Sequence, residues 1–265
     1  LKIENATLKI MTTDRCNANC IFCTREWAKN KDMSIEMFTN IIKQLPQVKR
    51  VHPQMHGELF VHPDILEMIK ILKDNKKSVR FHTNGSLIKG NIAKKLAELE
   101  PEDVMFSIDA CDKEMYEYFR RGLKWEVVYN NVINFQSIKT SKTKTTVKCL
   151  ITAENRNKKK QIKQFWKDKV DHFKFIYEAP KIRNVGKEKR YDQKCHQIEK
   201  IIAIDVDGSI KLCCEDWFST TIVGHVNDGI IEVLNSDKVK KLKDQIRNKQ
   251  FLPMCEKCII LYDKR

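Results

Sequence analysis

The first two-thirds of the chain alternates between two hydrophobic periods, and that alternation limits the folds open to it. Short runs rich in β-branched and aromatic residues lie at 7–12 (TLKIMT), 50–56 (RVHPQMH), 78–84 (SVRFHTN), 103–109 (DVMFSID), 145–152 (TTVKCLIT) and 172–179 (HFKFIYEA). Helical patterns separate them at 34–45, 63–75, 87–99, 125–138 and 158–170. Ile65, Met68, Ile69 and Leu72 recur at i, i+3, i+4 and i+7, a single helical stripe. Val79, Phe81 and Thr83 alternate with charged or polar neighbours, as do Val104, Phe106 and Ile108. Strands alternating with helices of this length predict right-handed βαβ units and a parallel sheet. Six units fall short of the eight of a closed barrel. The expected class is therefore α/β, a partial (β/α)6 TIM-like barrel with ligands at the carboxyl ends of its strands.

After residue 180 the pattern changes. Residues 181–194 are basic and aperiodic, which reads as a linker. From 195 to 265 the chain predicts a small second domain. It has a hairpin across Asp207-Gly208, then a helix around 231–247, and it holds half of the cysteines. The expected organisation is a first domain over 1–180 and a second over 195–265.

Fifty Lys and Arg against 35 Asp and Glu leave a formal charge of +15. That excess fits a solvated Lys-rich surface or an anionic partner, whether acidic peptide, phosphorylated compound or RNA. The basic residues are scattered rather than blocked, which argues against nucleic acid. No stretch reaches the ~20 apolar residues of a membrane span. The first residues lack the apolar core of a signal peptide, and they begin at Leu1 rather than Met, as a trimmed start would. A cytoplasmic location is expected, where ten cysteines serve as reduced thiols for metal, catalysis or packing.

Three of these thiols fall in "CNANCIFC", as Cys16-x3-Cys20-x2-Cys23 directly after the first strand. One tight loop can bring three thiolates to three corners of a cubane iron–sulfur cluster and leave the fourth iron without a protein ligand. Zinc competes, but a closed zinc site takes four ligands, and the nearest spare Cys or His is His52.

This spacing, with Phe22 before the last cysteine, resembles the radical S-adenosylmethionine (SAM) superfamily. The resemblance implies that Cys16, Cys20 and Cys23 hold a 4Fe–4S cluster whose open iron binds SAM. Reductive cleavage of SAM then gives a 5′-deoxyadenosyl radical that takes a hydrogen from the substrate. Further matches follow the strands. Gly57 and Glu58, with His56 in place of a first glycine, are similar to the family's GGE motif, which holds the SAM amino group. Asn84 lies in "HTNG", similar to TNG. Ser107 and Asp109 lie in "SIDA", similar to SxDG, and would contact SAM or else cap the following helix. Arg121, in "YEYFRRG", would reach the SAM carboxylate or else lie on the surface. Asn155 would contact the nucleoside or else act as a loop cap.

The later cysteines, Cys195-x17-Cys213 and Cys255-x2-Cys258, resemble the twitch domain, a short form of the SPASM domain. That implies one auxiliary 4Fe–4S cluster on these four residues; structural zinc is the alternative. Cys111 and Cys149 read as core thiols. Cys214 is a spare ligand, a buried thiol or a catalytic hydrogen donor.

The resemblance implies an oxidoreductase of dehydrogenase or epimerase type. The cysteine spacing resembles aminocyclitol dehydrogenases, so oxidation of a sugar or cyclitol is the first expectation. Peptide modification by epimerisation or crosslinking is the alternative, and a zinc-stabilised RNA-binding protein the distant one. The expected partners are a small-molecule or peptide substrate of anionic character and a reductant such as flavodoxin or ferredoxin.

Overall fold

The computed structural model describes residues 3–23, 26, 28–177, 195 and 197–257. Six parallel strands and their helices follow in order: β1 (Thr7–Ile10), α1 (Ile35–Gln44), β2 (Arg50–His52), α2 (Ile65–Asp74), β3 (Ser78–Thr83), α3 (Gly90–Leu99), β4 (Asp103–Ser107), α4 (Lys113–Phe119), α5 (Trp125–Ile138), β5 (Lys144–Ile151), α6 (Lys159–Trp166) and β6 (His172–Tyr177). Then come β7 (Ile201–Ile204), β8 (Ser209–Lys211), β9 (Ile222–His225), α7 (Ile230–Asn235) and α8 (Asp237–Arg247). Every pairing from β1 to β6 is parallel, so the expected half-open βα array is present.

The helix stripe read from the sequence is the buried face of α2, where Ile65, Met68, Ile69 and Leu72 all lie in the core. Strand alternation is equally plain. Leu8, Ile10, Val79, Phe81, Val104 and Phe106 are buried. Together with the helix stripes they form one hydrophobic cluster.

Three boundaries differ from the sequence reading. The second strand stops at His52 rather than running to 56, because Pro53 has no N–H for the ladder; its carbonyl instead accepts from the Thr12 hydroxyl. The helix expected around 231–247 is two helices. Ser236 stands extended between them and caps α8 by accepting from Val239 N. A third strand, β9, joins the hairpin.

The hairpin itself forms across Asp207-Gly208, with Gly208 at φ +85°. It extends the barrel sheet. β7 pairs in parallel with β1, and the strand order is β6-β5-β4-β3-β2-β1-β7-β8-β9. Strands from both sides of the expected linker thus share one sheet; residues 181–194 lie outside the described residues. No helix among the described residues is long and apolar enough to cross a membrane.

Candidate functional site

The loop after β1 carries Cys16, Cys20 and Cys23, all half-buried. Its entry is fixed by Asp14, a buried carboxylate that accepts from the backbone N–H groups of Lys29 (2.7 Å) and Lys31 (2.6 Å). Its far side rests on the end of α4. Asn19 N donates to Arg121 O at 2.8 Å, and Ile21 N donates to Phe119 O at 3.1 Å. Phe22 lies 6.1 Å from the Phe119 ring, and the Arg120 guanidinium stands over Phe22 at 4.9 Å.

Gly57 closes the loop's base. Its φ of +78° suits glycine, and an added Cβ would stand 2.7 Å from the Arg15 carbonyl oxygen and 2.9 Å from that of Thr13. Glu58 N donates to the same Arg15 carbonyl at 2.8 Å. The Glu58 side chain is buried and accepts from Thr83 Oγ1 (2.7 Å) and Asn84 N (2.6 Å). Burial raises its pKa, against the pull of those donors. Asn84 in turn donates through Nδ2 to Asn17 Oδ1 at 2.9 Å. The ends of β2 and β3 are thereby tied to the cysteine loop.

Asp109, past the end of β4, is buried and accepts from Leu150 N at 2.7 Å. Its other oxygen pairs with Arg120, whose Nε donates at 2.7 Å. Arg120 Nη1 also lies 3.8 Å from Cys20 Sγ. Burial raises the Asp109 pKa, opposed by Arg120. Burial works against the Arg120 charge, yet Asp109 and Cys20 hold it firmly cationic. The sequence pointed to Arg121, which is exposed and reaches the loop through its carbonyl. Helix phase carried the better signal. Arg120 is four residues after the buried Tyr116, on the inward face, and Arg121 is one step round. Ser107 is half-buried at the end of β4, level with Lys148 of β5. Asn155 is a structural tie: it donates to Asp109 O (3.0 Å) and Leu150 O (2.8 Å) and accepts from Thr152 N (2.9 Å).

His56 departs from the glycine of the motif for a visible reason. Its ring packs on Trp217, centroids 4.3 Å apart, so it joins the barrel to the C-terminal region. Burial lowers its pKa to about 3.

The second cysteine group lies beyond β8. Cys213 and Cys255 are buried and Cys195 is half-buried; Cys258 lies outside the described residues. Glu215 N donates to Cys213 Sγ at 3.4 Å. Lys9 of β1 donates to the buried Cys214 Sγ at 3.3 Å. A hydrogen bond from Cys213, then Lys9, hold Cys214 below the usual thiol range, while Cys213 is pushed up. The segment after β8 folds back toward the loop that follows β2: Cys214 hydrogen-bonds through its backbone with the His56 ring, next to Gly57 at the base of the Cys16 loop.

The donor chemistry fits an iron–sulfur centre at the first loop. Three thiols share it, and a buried guanidinium beside Cys20 can offset the negative charge of a thiolate-ligated cluster. The N–H bond to the Cys213 sulfur suits a ligating thiolate in the same way.

Comparison with known proteins agrees. Residues 10–165 match the radical SAM superfamily, and residues 195–259 match the SPASM iron–sulfur cluster-binding domain. The chain belongs to the radical SAM superfamily, in its SPASM-containing branch. A 4Fe–4S cluster, SAM and auxiliary iron–sulfur chemistry come with that membership.

It is similar to the tungsten-containing aldehyde ferredoxin oxidoreductase cofactor-modifying protein of Pyrococcus furiosus, 28% identical over 157 residues, covering 56% of this chain and 44% of that protein. It is also similar to a probable GTP 3′,8-cyclase of Methanocaldococcus jannaschii, 30% identical over 171 residues, covering 62% and 56% respectively. The chain spans about half the length of these curated relatives. Among solved structures, Streptococcus suis SuiB bound to precursor peptide SuiA superposes with a TM-score of 0.71, 16% identity, and coverage of 96% of this chain and 70% of that one. BtrN in complex with AdoMet and 2-DOIA gives 0.61, 12%, 92% and 88%. At these identities the likeness is one of fold.

Proposed function

We propose that this chain is a radical SAM oxidoreductase acting on a sugar- or cyclitol-type small molecule. The observation that carries the small-molecule reading is the concave face of the sheet. It presents Lys9, His52, His82, Ser107 and Lys148 along adjoining strands, with Met105, Leu150 and Ile176 among them, a largely polar floor suited to hydroxyl groups. When bound, the cofactors supply a hydrogen-abstracting 5′-deoxyadenosyl radical and, at the auxiliary cluster, an electron acceptor.

The chain's own residues have separable tasks. Cys16, Cys20 and Cys23 would ligate the first cluster, with Arg120 screening its charge. Glu58, oriented by Thr83 and Asn84, would accept from the SAM ammonium. Gly57 lets the backbone approach. Asp109 fixes Arg120, and Ser107 faces the substrate side. Arg121 would hold the loop through its backbone. Cys195, Cys213, Cys255 and Cys258 would ligate the auxiliary cluster. Cys214 is proposed as the active-site thiol. Lys9 donates to its sulfur and fixes where it points.

Peptide modification is the second reading. The likeness to SuiB with its precursor peptide and to anSMEcpe with a bound Cp18Cys peptide favours it. GTP, named for the cyclase relatives, would be an anionic small molecule.

Anaerobic metal and product analysis tests the proposal. The wild type should hold about eight iron and eight sulfide, the stoichiometry of two cubanes, and should form 5′-deoxyadenosine from SAM on reduction. Cys16→Ala should lose that activity, and Cys214→Ala should keep its iron. Zinc without sulfide would overturn the enzyme reading. Loss of auxiliary iron in Cys214→Ala would reassign that residue as a ligand.

A further inference from the structure

The strand register sorts the barrel residues onto two faces. The helix-side face is apolar. On the concave face, Lys9 pairs in register with His52, Arg80 with Asp103, His82 with Met105, and Ser107 and Lys174 flank Lys148. By the same register Arg50, Lys144 and His172 share that face, so six full cations and three histidines line it, Lys9, Arg80, Lys148 and Lys174 among them. Among the described strand residues of that face, Asp103 is the one carboxylate, and it already accepts from Thr146 Oγ1 at 2.8 Å.

These groups sense one another. Lys148 Nζ lies 3.2 Å from His82 Nε2. Burial, then the charge of Lys174, lowers the Lys148 pKa to about 8. Burial, then Lys9, Arg80 and Lys148, lowers that of His52 to about 4. Like charges held this way oppose folding, and Asp103, in register with Arg80 and pulling the Lys148 pKa back up, is the one carboxylate of the described strands there to offset several cations. Lys9, Arg80 and His82 lie within their strands, His52 ends β2, and Lys148 and Lys174 are level with Ser107 at the end of β4. An anion held there would turn the unfavourable arrangement into a binding site. A phosphate monoester suits it better than a carboxylate, with up to two charges and three acceptor oxygens for several separated donors.

We infer that the concave face of the sheet is an anion site that holds a phosphate monoester of the substrate, with Lys9, Arg80, Lys148 and Lys174 as donors. This rests on the small-molecule reading above and narrows it to phosphorylated compounds.

Calorimetric titration of the reconstituted, SAM-loaded holoenzyme tests it, with inorganic phosphate, glucose 6-phosphate and glucose as probes. The variants are Lys148→Gln, Arg80→Gln and a control, Lys94→Gln with Lys95→Gln on the exposed outer side of α3. Phosphate and glucose 6-phosphate should bind the wild type, and glucose should not. Each single variant should weaken binding about tenfold, the loss of one charge-assisted contact, and the control should match the wild type. Arg80 is exposed, so its variant carries the comparison if Lys148→Gln folds poorly. No phosphate binding, equal weakening in the control, or tighter binding of a polyglutamate peptide than of either phosphate would overturn the inference. Formation of 5′-deoxyadenosine by the wild type is scored separately. Its absence would remove the enzyme reading, and a failed titration with intact SAM cleavage would remove the phosphate site alone.

Discussion

At the residue scale, Gly57 shows how closely the site is drawn. The backbone on either side of Asp14 passes so near it that a methyl group has no room, and its positive φ penalises any side chain. Gly57→Ala should destabilise the protein by at least about 2 kcal/mol from the left-handed backbone and the close contact together. It should also lower the iron bound at the first loop. Denaturant midpoints and iron content measure the two effects, and a variant with full iron and unchanged midpoint would contradict the account. The same scale shows what a sequence conceals. Gly57, Glu58 and Asn84 stood out in the sequence because motif residues at strand ends are local signals. The choice of Arg120 over Arg121 depends on which way a short helix faces, and only burial of Tyr116 reveals that.

At the element scale, the strands were legible wherever one face is apolar, as with Val79 and Phe81. The same alternation held the cationic face in plain view, but the meaning of Lys9, Arg80, Lys148 and Lys174 emerges only once register places them on one face of the sheet. The Ser236 break was hidden because the apolar residues on both sides of it continue a helical pattern. Asn155 acts at this scale. It joins the end of β4 to the end of β5 through three hydrogen bonds with Asp109, Leu150 and Thr152. Asn155→Ala leaves buried backbone groups unsatisfied and should cost about 2–3 kcal/mol. Urea denaturation should register that loss, and a change under ~0.5 kcal/mol, the range of ordinary surface substitutions, would exclude the tie.

At the scale of the whole molecule, the two sequence segments on either side of 181–194 depend on each other. β1 is flanked by β2 and β7, and Leu8 and Ile10 share a core with Ile202 and Ile204. Gln44 of α1 adds a clasp, donating to Val226 O at 3.0 Å and accepting from Ile230 N at 2.9 Å. No local pattern announces that β7 would choose β1, because the pairing spans almost two hundred residues. A fragment of residues 1–180 would expose the β1 edge and half of that core. It should aggregate or melt without cooperativity, as size-exclusion chromatography and circular dichroism would show. A monomeric, sharply melting fragment would mean that the barrel stands without its C-terminal strands.

One strand, β1, touches both groups of thiols. The loop over 16–23 leaves its carboxyl end, and Lys9 in its middle donates to Cys214. Any change in its length must re-register two neighbouring strands at once, so the spacing of the two groups of thiols evolves only together with the sheet.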